Sequence, residues 1–181
     1  RALAQGMLDN LLDMKRDLES ALNYQLSDKV RGVLEGCLNH LREQITTKSN
    51  EFKTSGDVVF IQKDYNAALD FYTQAYETNP DNIDALGGMA NVQGILLRWD
   101  AAVVSNTALL ETNLSDTDRM AAIFRRGYAS AKLNQAAEAI EDLELVLSMN
   151  LPTQQRSKAQ EFLYKMKELK LSEDMAKFEQ E

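Results

Sequence analysis

What most constrains this chain of 181 residues is an internal repeat. Gly56, Ala90 and Gly127 stand at equivalent places, and twelve residues after each come Ala68, Ala102 and Ala139. Tyr65, Trp99 and Ala136 lie three places before those alanines, while Ala75, Leu109 and Val146 lie seven places after them. Pro80, Leu114 and Leu151 close the units, and Pro152 follows the last. The step is 34 residues and then 37, with the three extra residues in the polar run 113–118. An insertion into such a turn costs little. A period of this length implies supersecondary units that bury their apolar faces by stacking on one another.

Each unit reads as two amphipathic helices. In the first, Phe52, Val59 and Phe60 make an apolar stripe with a gap at Gly56. A turn at residues 63–65 follows, and Ala67, Ala68, Phe71, Tyr72 and Ala75 then recur at helical spacing as far as the breaker run 78–82. Small residues at 56 and 68 let the two helices cross closely, and Tyr65 and Tyr72 fill the space around the crossing.

The flanks are helical but outside the period. Met7, Leu11, Met14, Leu18 and Ala21 keep a heptad-like spacing. Ser27 and Asp28 then interrupt the pattern and can cap a second helix. Val30, Val33, Leu34, Cys37, Leu38, Leu41 and Ile45 give that helix an apolar face. The resulting hairpin packs either on the first unit or on another chain, so self-association through it is open. At the other end Thr153 is expected to cap a last helix. Ala159, Phe162, Met166 and Leu169 on it would cover the open end of the stack. Leu171, Met175 and Phe178 fall roughly opposite, where the helix either breaks near Ser172 or offers a strip to a partner.

Composition narrows the function. The formal charge is −8, and residues 49–153 carry all of it, with fifteen acids against seven bases. Such a chain lacks the basic face that a nucleic-acid backbone requires. One cysteine leaves no disulfide framework and fits a reducing, cytoplasmic setting. Cys37 and His40 are one helical turn apart, but too few further ligands exist for a metal site. No run of apolar residues is long enough to span a membrane. His40 has no evident nucleophile partner, and no glycine-rich phosphate loop follows a strand. Glu138, Glu141, Asp142 and Glu144 read as a solvated helix face. An enzyme is therefore not expected, nor is a cofactor or a metal. The first residue, Arg1, suggests a piece of a longer chain.

A small residue at the eighth place of a 34-residue unit, with Tyr at the seventeenth, Ala at the twentieth and Pro at the thirty-second, resembles the tetratricopeptide repeat. Residues 56–82 and the run Phe124, Arg125, Arg126, Gly127, Tyr128 onward to Leu143 are close to that pattern. The middle unit departs from it, with Asn106 where an aromatic is usual and no closing proline. The resemblance implies an all-α, right-handed α-solenoid. Residues 1–48 would form an N-terminal helical hairpin, 49–153 three helix pairs (about 49–82, 83–116 and 120–153), and 154–181 a capping and extension helix. The first helix of each pair, 49–62, 83–96 and 120–133, would line a concave groove. Those segments hold Lys53, Arg125, Arg126 and Lys132 against Glu51, Asp57 and Asp84, so the groove is expected to be less acidic than the chain as a whole.

The resemblance also implies a partner class. One group of tetratricopeptide proteins grips the acidic carboxy-terminal tails of heat-shock chaperones through a two-carboxylate clamp. Its pattern is Lys and Asn in the first unit, Asn in the second, then Lys and Arg in the third. Lys53 and Arg125 match, whereas Asp57, Gly88 and Ala121 do not. Losing two or three charge-assisted hydrogen bonds removes about 4 kcal/mol, roughly a thousandfold in affinity. The expectation is a co-chaperone-like, non-enzymatic adaptor with a degenerate clamp. Its altered peptide mode would centre on Lys53 and Arg125, with Asn91, Tyr128 and Lys132 adding polar contacts. One alternative is a scaffold subunit docking through its N-terminal hairpin and C-terminal helix. A second is a small acidic secretion chaperone of the same repeat type.

Overall fold

The computed structural model describes the backbone of residues 2–178, and the side chains among them except those of residues 2–5, 7–8 and 177–178. Among the described residues there are eight helices and no strand. They are α1 (Ala2–Ala21), α2 (Asp28–Ile61), α3 (Tyr65–Thr78), α4 (Ile83–Ile95), α5 (Trp99–Leu110), α6 (Asp116–Lys132), α7 (Ala136–Ser148) and α8 (Thr153–Phe178). Each helix packs on the next, and α2, α4, α6 and α8 also touch one another in series. The even-numbered helices thus form one wall of an all-α solenoid, with α3, α5 and α7 behind it. None of the helices is long and apolar enough to cross a membrane.

The repeat is visible in the backbone. Lys63, Leu97 and Asn134 adopt left-handed conformations at φ 64°, 59° and 58°, at the same turn of each helix pair. Side chains cap several helix starts, satisfying amides that have no partner within the helix. Asp64 accepts from the Ala67 N–H at 3.1 Å, Asn82 from Ala85 at 3.0 Å and Ser115 from Asp118 at 3.1 Å. Ser27 occupies the cap position of α2 without a side-chain cap bond. Thr153 is the first residue of α8 rather than its cap, since the Arg156 N–H donates to the Pro152 carbonyl at 2.8 Å.

Close helix crossings explain the small residues. A Cβ on Gly56 would lie 2.8 Å from Tyr72 Cε1, and a Cβ on Gly88 would meet the same atom at 2.8 Å. The Tyr72 ring is therefore held between α2 and α4. A Cβ on Gly127 would come within 2.7 Å of Asp142 Cβ. Asn106, in place of an aromatic, is fully buried and donates to the Ala102 carbonyl at 2.7 Å.

The N-terminal flank differs from expectation, while the C-terminal flank follows one of its two expected courses. Helix α2 runs unbroken through residues 48 and 49, where the repeat register places the start of the first unit. No glycine or proline interrupts it there, and Ser49 is fixed inside the array. Its hydroxyl donates to the Ala75 carbonyl and accepts from Asn82 Nδ2, both at 2.7 Å. On the first half of α2, Leu38, Leu41 and Ile45 are buried, whereas Val30, Val33 and Cys37 are exposed. At the other end Ala159 and Met166 of α8 are buried, with Phe162 and Leu169 packed in the same cluster as Leu143 and Val146 of α7. That helix continues past Ser172 without a break.

Candidate functional site

The wall of even-numbered helices holds a pocket of about 400 Å³. Its polar lining is Lys53 and Asp57 of α2, Asp84 and Asn91 of α4, and Asp118 and Arg125 of α6, with Gly88 in its floor. Five of the seven expected groove residues are thus brought together. Tyr128 lies next door, and Lys132 lines neither this pocket nor the adjacent one.

The two cations of the pocket are in different states. Lys53 Nζ is 2.8 Å from Asp57 Oδ2, one helical turn away. Asp57 Oδ1 in turn accepts from the Tyr72 hydroxyl at 2.8 Å. The hydrogen bond that the Lys53 ammonium donates to Asp57 raises it above the ordinary lysine range, against partial burial and with Coulombic help from Asp57 and Asp84. Burial, and then the hydrogen bond to Asp57, hold the Tyr72 phenol well above its usual range. Arg125 makes no hydrogen bond or ion pair among the described residues. Burial pulls its guanidinium below the ordinary arginine range, and the field of Asp118 opposes that.

The electrostatics of the groove correct the expectation drawn from whole helices. Arg126 turns to the other side of α6, where Nε and Nη2 donate to the Asp142 carboxylate at 2.8 and 2.7 Å. Asp118 enters the pocket because α6 begins at Asp116, earlier than position 120. The pocket therefore carries two bases against three acids. Ser115 was the available signal, for a serine three residues before an acid marks a helix start.

A second pocket of about 330 Å³ continues along the wall between α4, α5, α6 and α8, and Asn91 and Arg125 line both. Its floor is aromatic and apolar. The Tyr128 ring meets Trp99 edge-on at 5.7 Å between centroids and Phe162 at 4.8 Å, and stacks with Phe124 at 6.2 Å. Lys158 sits over the Tyr128 ring at 4.6 Å, and Lys132 over Phe162 at 4.9 Å. Trp99, Phe124 and Lys158 were not among the expected site residues. The repeat assigns Trp99 to a core position and Lys158 to the cap, so neither carried a signal for this surface.

The expected contact strips are only partly described. Leu11 and Leu18 are half-buried on α1, which packs on α2, while Met14 is exposed. Leu171 and Met175 are exposed on α8. The side chains of Met7 and Phe178 lie outside the described ones. Among the described residues no group of three or more His, Cys, Asp or Glu side chains could hold a metal ion.

No protein-family model matches the sequence, and no curated protein is similar enough to count as a relative. Solved structures do match. The tetratricopeptide domain of Arabidopsis OM64 is 26% identical with a TM-score of 0.57, over 67% of this chain and 98% of that one. The first such domain of Spaghetti (RPAP3), bound to an HSP90 peptide, is 27% identical with a TM-score of 0.56, over 68% and 93%. The N-terminal domain of stress-induced protein-1 from C. elegans shares the fold at 24% identity and a TM-score of 0.56, over 65% and 96%. Repeat spacing, helix order and these matches agree: the chain has the fold of a tetratricopeptide-repeat array and resembles the domains of co-chaperone-type proteins.

Proposed function

We propose that this chain is a non-enzymatic adaptor that binds a peptide segment of another protein along the wall formed by α2, α4 and α6. The observation that carries the reading is Arg125. A partly desolvated cation with no hydrogen bond or ion pair among the described residues, held only by the field of Asp118, gains from a further opposing charge. Its position lets a peptide carboxylate supply that charge. The RPAP3 domain, similar in fold, binds an HSP90 peptide, which supports the peptide as ligand class.

The pocket also argues for a selectivity unlike that of a two-carboxylate clamp. Asp57 already occupies Lys53, and a second peptide carboxylate would meet Asp57 and Asp84. An acidic tail is therefore expected to bind weakly through Arg125 alone. Calorimetric titration with the peptide SRMEEVD tests this. The wild type should bind with Kd above about 100 μM, Asp57→Asn should tighten it at least tenfold, and Arg125→Ala should abolish binding. Low-micromolar binding untouched by Arg125→Ala, or no binding by wild type and Asp57→Asn alike, would overturn the reading.

A second reading, a scaffold subunit docking by its ends, is favoured by the exposed Met14, Val30 and Val33 near one end and Leu171 and Met175 near the other.

A further inference from the structure

We infer that the cleft between α5, α6 and α7, on the back of the array, takes a lysine side chain from a basic segment of a partner protein. This surface shares no residue with either pocket of the groove wall, so it stands apart from the adaptor reading.

The cleft holds about 360 Å³. Ser130 of α6 lines it at 1% exposure, and its hydroxyl makes no hydrogen bond among the described residues. A buried hydroxyl without a partner is unfavourable. Other helical hydroxyls of this chain avoid that state by donating to the carbonyl four residues back, as Thr54, Ser55 and Ser157 do. Ser130 does not, and its oxygen is left for a group entering the cleft.

The preceding seam repeats the arrangement with a different charge. There α3, α4 and the turn after α4 enclose a cleft of about 380 Å³. Thr73 and Gln93 of that cleft correspond in repeat register to Thr107 and Ser130 of this one. Gln93 is 8% exposed, and its Oε1 is buried without a hydrogen bond. Both seams thus hold an unpartnered, buried polar side chain at the same place. The first cleft balances Asp70 with Arg98, whereas the second sets Arg126 against Glu138, Glu141 and Asp142. Of the two, the second is fitted to a cation.

The acids of α7 are not equally engaged. Asp142 is held by Arg126, whose guanidinium also lies 3.5 Å from Thr107 Oγ1. The hydrogen bond to Asp142 holds that guanidinium above the ordinary arginine range, against burial, and the charges of Asp142 and Glu141 add to it. Glu144 pairs with Lys167 at 2.6 Å. Glu138 and Glu141, three residues apart on one face, are exposed at the cleft and make no hydrogen bond or ion pair among the described residues. With Arg126 committed to Asp142, these two carboxylates are the charge left over.

An ammonium suits this set better than a guanidinium does. It is compact and carries three donors, and the Ser130 hydroxyl and two glutamates offer it acceptors from two helices. Val103, half-buried, lines the wall against which the methylene stem of a lysine would lie. Beside it Val104 is 68% exposed, an apolar contact for the residue next to the lysine. Residues 49–153 hold fifteen acids against seven bases, which favours encounter with a basic segment.

The probe is a seven-residue peptide, acetylated and amidated, with a central Leu-Lys pair among Gly and Ser. It is titrated into the intact, isotope-labelled protein at low salt while amide shifts are followed by NMR. Shifts should centre on residues 103–107 and 126–141, with a Kd of about 1 mM. Norleucine in place of lysine should abolish them, and arginine should weaken binding severalfold. Replacing both Glu138→Gln and Glu141→Gln should weaken it about tenfold. Ser130→Ala should weaken it about fivefold while Tm stays unchanged or rises, since the hydroxyl supports nothing within the chain. Asp84→Asn, in the groove, should leave the titration unchanged. Shifts that centre on Asp84 and Asp118, that spread over the acidic surface, or that survive both the double glutamine variant and Ser130→Ala overturn the inference. So does the absence of any shift with the wild type, and the SRMEEVD titration decides the groove reading separately.

Discussion

A methyl group added at Gly56 or at Gly88 would press the Tyr72 ring from opposite helices, each at 2.8 Å, and that ring is itself buried. It cannot swing away from one without striking the other. Alanine at position 56 gains about 1 kcal/mol in helix propensity. Overpacking at a site that cannot yield costs about 1–3 kcal/mol. We expect Gly56→Ala to lower Tm, and the same substitution to be neutral or stabilising in a Tyr72→Leu background, as thermal melts of the four proteins would show. Gly56 was legible in the sequence because the repeat demands a small residue there. The need for Gly88 was not, because the side chain that demands it comes from the preceding unit, and a one-dimensional period does not say which rings face which backbone.

Helices are the scale at which the sequence reading was most sound and also where it misassigned charge. Arg125 and Arg126 are neighbours, but at about 100° per residue they leave α6 in different directions. Assigning a whole helix to the groove puts both there. In the structure, Arg126 is bound to Asp142 of α7, a pair that ties the third unit together. Exposure within the pair is unequal, with the Arg126 side chain 29% and the Asp142 side chain 4% exposed. Breaking it from either side should therefore not cost the same. Arg126→Met strands a buried carboxylate and should destabilise by about 3 kcal/mol, whereas Asp142→Ala leaves a guanidinium that can reach water and should cost less. Urea denaturation of both variants checks the order; equal losses would mean that packing, not charge, dominates. The continuity of α2 is a second case. The repeat marks where a unit begins in register, and a helix ends only where a residue ends it.

The stack as a whole is closed at one end by α8. Its buried Ala159 and Met166 complete the cluster that contains Leu143 and Val146, whereas Leu171 and Met175 lie in solvent. Truncation should separate these roles. Ending the chain after Lys170 should leave the melt within a degree or two of the original. Ending it after Pro152 should expose that cluster and produce a lower Tm with association at micromolar concentration. Light scattering on the two truncations would also address the scaffold reading, for an oligomer that dissolves on loss of residues 171–181 would favour it. The capping role of Ala159 and Met166 could be read from their spacing, because a repeat array needs a lid. The pocket beside Arg125 could not, because it is built by four helices at once.

One helix, α2, connects the groove to α1. Its first half carries α1, and among the described residues α1 makes no comparable contact with any other helix. Its second half carries Lys53 and Asp57. The 34 residues of α2 span roughly 50 Å on a single axis. The bearing of α1 relative to the pocket is thus set by helical phase. One residue inserted between Thr46 and Ser49 would turn α1 by about 100° around that axis and advance it by about 1.5 Å, with the groove unchanged. Anything gripping both ends would sense the change as a rotation.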